Sequence, residues 1–211
     1  MKATLLAVIL LLGVPSFSAA SDAVPYLEYF ESVSRELEIP KAVTLAIAGI
    51  ESGLNPWSLN IEGRPYRFSS KEEALAKARE AQRKGRSFDV GIMQINRWWL
   101  DRYGISLEAA FDPLANIYFG GWILKGEIAR HKNIRAAIGA YHSPNPIRAN
   151  RYAAKVMKAL ESGPVKAIPK RSSPSARPPV APNAGRTIPA RSQTLKVGYD
   201  FEPSMKVRTR K

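Results

Sequence analysis

The stretch Ala42-Val43-Thr44-Leu45-Ala46-Ile47-Ala48-Gly49-Ile50-Glu51-Ser52-Gly53 is apolar almost all round before it meets a carboxylate. A helix without a polar face is buried on every side, so this segment is the predicted central helix of the fold. Pro40 opens it, and Gly53 is placed to close it as a left-handed cap. Glu51 therefore stands where a buried helix runs out. Desolvation there disfavours a carboxylate, and the negative end of the helix dipole acts in the same direction. A carboxyl with a raised pKa is what a general acid for glycosidic bond cleavage requires.

Outward from this helix the chain is mostly helical. Pro25 is placed at the first position of a helix in which Tyr26, Leu27, Phe30, Val33 and Leu37 recur at helical spacing to about Glu38. Asn60 to Phe68 reads as a turn between two short extended pieces, a small hairpin. Ser70-Lys71-Glu72-Glu73 has the form of a capping box, starting a polar helix to Lys84. Phe88-Asp89-Val90 is an extended approach, and Ile95 to Tyr103 should hold a short helix with Trp98 and Trp99. Asp112-Pro113, Asn133 and Asn145-Pro146 begin three more helices, ending near Arg130, Tyr141 and Ser162. The expected fold class is mainly α with a small β element by a cleft.

The two ends differ from the middle. Lys2 followed by the apolar run Ala3 to Val14, then small residues at Ser18 and Ala20, reads as a signal peptide over residues 1–20, with cleavage after Ala20. No later segment has the length and apolarity of a membrane span. Residues 162–211 contain eight of the 16 prolines, eleven Lys or Arg and two acids. A segment so rich in proline and charge cannot bury enough surface to fold, so 163–211 is expected to be a disordered basic tail. The net charge of +14 is carried mostly by that tail. The tail is either a solubilising linker with no specific partner or a contact for anionic wall polymer, an anionic membrane surface or an acidic protein, and no nucleic acid is expected. The folded domain is placed at 21–162. With no cysteine, disulfides and thiolate chemistry are excluded. His131 and His142 lie on separate helices and form no metal-binding cluster by themselves. Trp98, Trp99 and Trp122 could stack on sugars, although core packing accounts for at least two of them.

Three segments form a pattern: Glu51-Ser52-Gly53-Leu54-Asn55-Pro56, Gly91-Ile92-Met93-Gln94-Ile95-Asn96 and Ala140-Tyr141. Together they resemble the Glu-Ser, Gly-Leu-Met-Gln and Ala-Tyr segments of the soluble lytic transglycosylases. These are lysozyme-like enzymes, and the small exported members that accompany pilus, conjugation and type IV secretion machines are the most similar. The resemblance covers residues 25–160. It implies a periplasmic enzyme that cleaves peptidoglycan glycan strands with no metal or cofactor. Glu51 would be the catalytic acid. Ser52, Asn60, Asp89, Gln94, Asn96 and Tyr141 would form the substrate site, with the Tyr141 hydroxyl beside Glu51 or the N-acetyl group. About forty residues separate Glu51 from Gln94, an insertion that recurs in the pilus- and conjugation-associated relatives. His142-Ser143-Pro144 stands where the family commonly has Asn-Ala-Gly.

Asp89-Val90-Gly91 with Trp98-Trp99 also resembles the animal-type lysozyme segment, where the aspartate is a second catalytic carboxylate. Glu51 and Asp89 would then be a retaining pair about 5 Å apart. Asp89 is alternatively a hydrogen-bonded anchor of the turn before Gly91, or a substrate contact. A hydrolytic muramidase and a non-catalytic wall-binding assembly module are the rival functions to a transglycosylase.

Overall fold

The structure, a computed structural model, describes residues 24–163. The expected signal peptide lies outside these residues, as does the expected tail beyond Gly163. In chain order the elements are α1 (Leu27–Leu37), α2 (Lys41–Ser52), β1 (Ser58–Ile61), β2 (Arg64–Arg67), α3 (Lys71–Arg83), β3 (Phe88–Val90), β4 (Ile95–Asn96), α4 (Arg97–Tyr103), α5 (Leu107–Ala110), α6 (Pro113–His131), α7 (Ile134–His142) and α8 (Pro146–Glu161). Helices dominate, and the strands form one antiparallel sheet in the order β2-β1-β3-β4. No helix among the described residues is long and apolar enough to cross a membrane.

Helix α2 is central, as its composition predicts. Every residue from Val43 to Gly49 is buried, and α1, α6 and α8 pack around it. Gly53 closes it at φ 61°, a conformation glycine adopts without a Cβ penalty. Asp112, Asn133 and Asn145 cap α6, α7 and α8 by accepting backbone N–H bonds, which satisfies donors with no partner inside the helix.

Several boundaries differ from the sequence expectation. Pro25 does not open α1: the chain makes a turn at Pro25-Tyr26, Tyr26 takes φ 61° and stacks on Tyr29, and the helix begins at Leu27. The Ser70 capping box is half formed. Ser70 Oγ accepts the Glu73 N–H, while Glu73 Oε2 accepts from Ser69 N instead of Ser70 N. Ile95-Asn96 is strand, because it pairs with Asp89-Val90, so α4 starts at Arg97. Helix α5, capped by Ser106, has four residues and is too short to leave a periodic signal.

Candidate active site

Glu51 stands in the last turn of α2, its side chain 15% exposed on the wall of a cleft of about 700 Å³. The sheet and α4 supply one side of this cleft, and α6, α7 and α8 the other. Strand pairing sets Asn60 opposite Asp89 and Asp89 opposite Asn96, so these three side chains form a row on one face of the sheet. Alternation then sends their neighbours Leu59, Ile61, Phe88, Val90 and Ile95 into the core. All three polar residues of the row line the cleft. Each also has a local partner. Asn96 Nδ2 donates to Asp89 Oδ1 (2.8 Å), Asn96 Oδ1 accepts the Trp98 N–H at the start of α4, and Asn60 Oδ1 accepts the Gly63 N–H in the hairpin turn.

The turn from Gly91 to Gln94 carries the next wall. Gly91 has φ +78°, and a Cβ on it would lie 2.3 Å from Asn116 Nδ2 and 2.9 Å from the Ala110 carbonyl oxygen. Only glycine fits so close an approach in that conformation. Asn116, buried on α6, accepts the Met93 N–H and donates to the Val90 and Ala110 carbonyls. Gln94 holds a left-handed φ of 47°, rare for a residue with a side chain. Its Nε2 donates to the Gly91 and Ser58 carbonyls (2.9 and 3.2 Å), which fixes the turn from within. Its Oε1 has no hydrogen-bond partner among the described residues, and the residue lines the cleft. Ile92, Met93 and Ile95 are core, as their character predicts.

Ser52 is not on the cleft wall. It is 1% exposed, and its hydroxyl points to the Ile92 and Ala48 carbonyls (2.8 and 3.1 Å), joining the end of α2 to the Gly91 turn. Its place beside Glu51 in sequence puts it on the inner side of the helix, where it positions the motif without reaching solvent.

Tyr141 closes the site from α7. Its hydroxyl donates to the Met93 carbonyl (2.8 Å), and burial, then the charges of Glu51 and Asp89, push its pKa well above the ordinary 10.0. Tyr152 of α8 was not singled out by sequence reasoning. It is 5% exposed, and burial and then Glu51 raise its pKa in the same way. Its hydroxyl makes no hydrogen bond of ordinary geometry, although it lies within the field of the Glu51 carboxylate. Its signal is faint: a tyrosine on the face that carries Val156 and Ala159 reads simply as core. The His142 ring lies flat on Tyr152 (centroids 4.2 Å apart, 3° between planes), and its Nδ1 is 3.7 Å from Glu51 Oε1. The tryptophans divide their roles. Trp122 is buried among Trp99, Tyr103 and Phe119, whereas Trp98 and Trp99 reach the cleft.

On the cleft wall Glu51 stands with Tyr141 and His142, and buried Tyr152 lies behind it; both phenols stay neutral. Gln94 and two further carboxylates, Asp89 and Glu127, also line the cleft. Such a set can donate and retrieve a proton at a bound neutral polymer. Among the described residues no cluster of three His, Asp or Glu is arranged to hold a metal ion.

Similarity to known proteins agrees with this geometry. The family model of the transglycosylase SLT domain matches residues 28–162, which contain every residue of the cleft. The type IV secretion system protein virB1 of Brucella suis biovar 1 (strain 1330) is 31% identical over 180 residues, covering 75% of this chain and 75% of that protein. The same protein of Brucella abortus (strain 2308) matches to the same extent. Protein virB1 of Rhizobium radiobacter is 30% identical over 161 residues, covering 70% of this chain and 67% of that protein. No solved structure matches the chain at a significant level. The chain belongs to the transglycosylase SLT domain family and is a lytic transglycosylase.

Proposed function

We propose that the enzyme cleaves the β-1,4 bond between N-acetylmuramic acid and N-acetylglucosamine, leaving a 1,6-anhydro end. The observation that supports this most is the setting of Glu51: one carboxyl at the end of a buried helix, on the cleft wall, against two phenols that remain protonated. Glu51 gives its proton to the bridging oxygen as the C1–O bond breaks. The resulting carboxylate then takes the proton of the C6 hydroxyl as that oxygen bonds to C1. The proton count closes on the same residue, so no water, metal or cofactor is consumed. Asn60, Asp89, Gln94 and Asn96 contact the sugars, and Asp89 serves as a contact and sheet anchor.

The Brucella relatives are named for type IV secretion. We place this chain in the same setting, opening the wall locally for an envelope-spanning assembly after export to the periplasm by residues 1–20. Mass spectrometry of digested peptidoglycan tests the chemistry. The expected products carry an anhydro end, one water lighter than a reducing end, and Glu51→Gln is expected to slow their release by ~10²–10⁴-fold with an unchanged fold. Reducing ends from the parent enzyme would favour the hydrolytic muramidase with Glu51 and Asp89. Undiminished cleavage by the variant would remove Glu51 from the chemistry.

A further inference from the structure

Beyond Glu51 the cleft continues along a column on α6: Ile123, Glu127, Arg130 and His131, spaced so that all four line it. Glu127 is almost wholly buried, its side chain 6% exposed. Arg130 Nη1 donates to both of its carboxylate oxygens (3.0 and 2.8 Å), and His131 Nε2 lies 3.5 Å from Oε2. A single guanidinium nitrogen therefore fulfils the pairing. Among the described residues Nε and Nη2 of Arg130 have no hydrogen-bond partner, and the side chain is 35% exposed. These two nitrogens carry the parallel N–H pair that matches a carboxylate. Glu127 acts as an anchor, fixing the fork instead of leaving it to wander in solvent.

In a stem-bearing strand the lactyl carboxyl of each N-acetylmuramic acid is tied up in the amide to its stem, so the sugars give such a fork no ionic partner. The charges of the wall polymer lie on its peptide stems. Arg130 is the one Lys or Arg of a lining that also holds Glu51, Asp89 and Glu127, while the segment that follows, residues 128–160, contains seven Lys or Arg and no Asp or Glu and so draws anions toward that end of the cleft. We infer that Arg130, held by Glu127, is a subsite for a carboxylate of the peptide stem, so that the enzyme prefers strands whose stems carry free carboxylates. This inference rests on the peptidoglycan reading above and names which form of that polymer the cleft selects.

The test is equilibrium binding by the full chain, read from tryptophan fluorescence, because Trp98 and Trp99 line the same cleft. The probes are stem-bearing glycan strands and the same strands with their stem carboxylates converted to amides, and Glu51→Gln is introduced into the parent and both variants so that the strands stay whole. The parent should bind the strands with free stem carboxylates about tenfold more tightly, the worth of one charge-assisted hydrogen-bonding pair. Arg130→Gln should lose that preference. Arg130→Lys, which keeps a cation beside buried Glu127 and so protects the fold, should lose most of it because the fork is gone. Equal binding of both strands by the parent would overturn the inference, as would a preference that survives in both variants. In either case the release of anhydro products would stand. A parent that binds neither strand would instead bring down the peptidoglycan reading, and this inference with it.

Discussion

The Tyr141 hydroxyl donates a 2.8 Å hydrogen bond to the Met93 carbonyl, across 48 residues of sequence. This bond joins α7 to the Gly91 turn and so aligns the two walls of the cleft that the family motifs supply. Met93 is held at its other end too, by its N–H to Asn116 Oδ1. The phenol thus has a structural partner as well as its place near Glu51. Tyr141→Phe removes the donor and leaves the Met93 carbonyl unpaired. We expect a loss of about 1 kcal/mol of stability, read from denaturant midpoints. We also expect about a tenfold fall in turnover, since a shift of roughly 1.4 kcal/mol in the reacting geometry gives that factor. Unchanged stability and rate together would show that the bond carries neither function.

Gly91 offers a sharper packing test. An alanine there must adopt φ +78° and place its methyl inside Asn116 and against the Ala110 carbonyl. The Asn116 amide cannot yield without giving up its bonds to Val90, Ala110 and Met93. Gly91→Ala should therefore cost about 3 kcal/mol, overpacking and lost hydrogen bonds acting together. Calorimetry would show it as a lowered Tm. A Tm within a degree of the parent would mean that the turn relaxes freely.

Asp89→Asn separates anchor from nucleophile. The new side-chain oxygen can still accept from Asn96 Nδ2, so the sheet row Asn60-Asp89-Asn96 should persist. Turnover is expected to fall by less than about tenfold, the worth of one altered polar contact, with anhydro products retained. A loss as deep as that of Glu51→Gln, measured by product release, would make Asp89 a catalytic carboxylate.

Much of this arrangement was legible in the sequence because local rules set it. The apolar run before Glu51, Gly53 after it, and Asp112-Pro113, Asn133 and Asn145-Pro146 before helices each act within one or two turns of chain. The hairpin and the polar third helix announced themselves in the same way. What escaped depends on contacts between distant segments. Asn116 is one amide in an apolar helix, and only the fold shows that it braces the Gly91 turn. Ile95-Asn96 becomes strand only by pairing with β3. Ser52 adjoins the candidate acid in sequence, yet helical rotation takes it inward to the Ile92 carbonyl. The Glu127–Arg130 pair joins the cleft only because α6 lines its far side, and Tyr152 comes behind Glu51 only because α8 packs against α2.

Alkaline pH provides the last test, because it reads the buried phenols directly. Tyr141 and Tyr152 have pKa values well above 10.0 in the fold, and burial with the nearby Glu36 charge pushes Tyr118 up to about 12. In the unfolded chain all three titrate near 10.0. Below that pH both states hold these protons, and the contribution to stability is fully present. Above it the unfolded chain releases protons that the native state keeps, so stability falls as pH rises. Each such tyrosine adds a slope of about 1.4 kcal/mol per pH unit until its own folded pKa is passed. Urea unfolding between pH 9 and about 12 should therefore show a steep loss that begins near pH 10. Tyr152→Phe should reduce the slope by about one tyrosine's share, and absorbance titration of the native parent should show these phenols ionising only as the protein unfolds. A parent that keeps its stability through this range, or a Tyr152→Phe slope equal to the parent's, would mean that the hydroxyl behind Glu51 is open to water. Tyr152 would then no longer belong to the protected wall of the site.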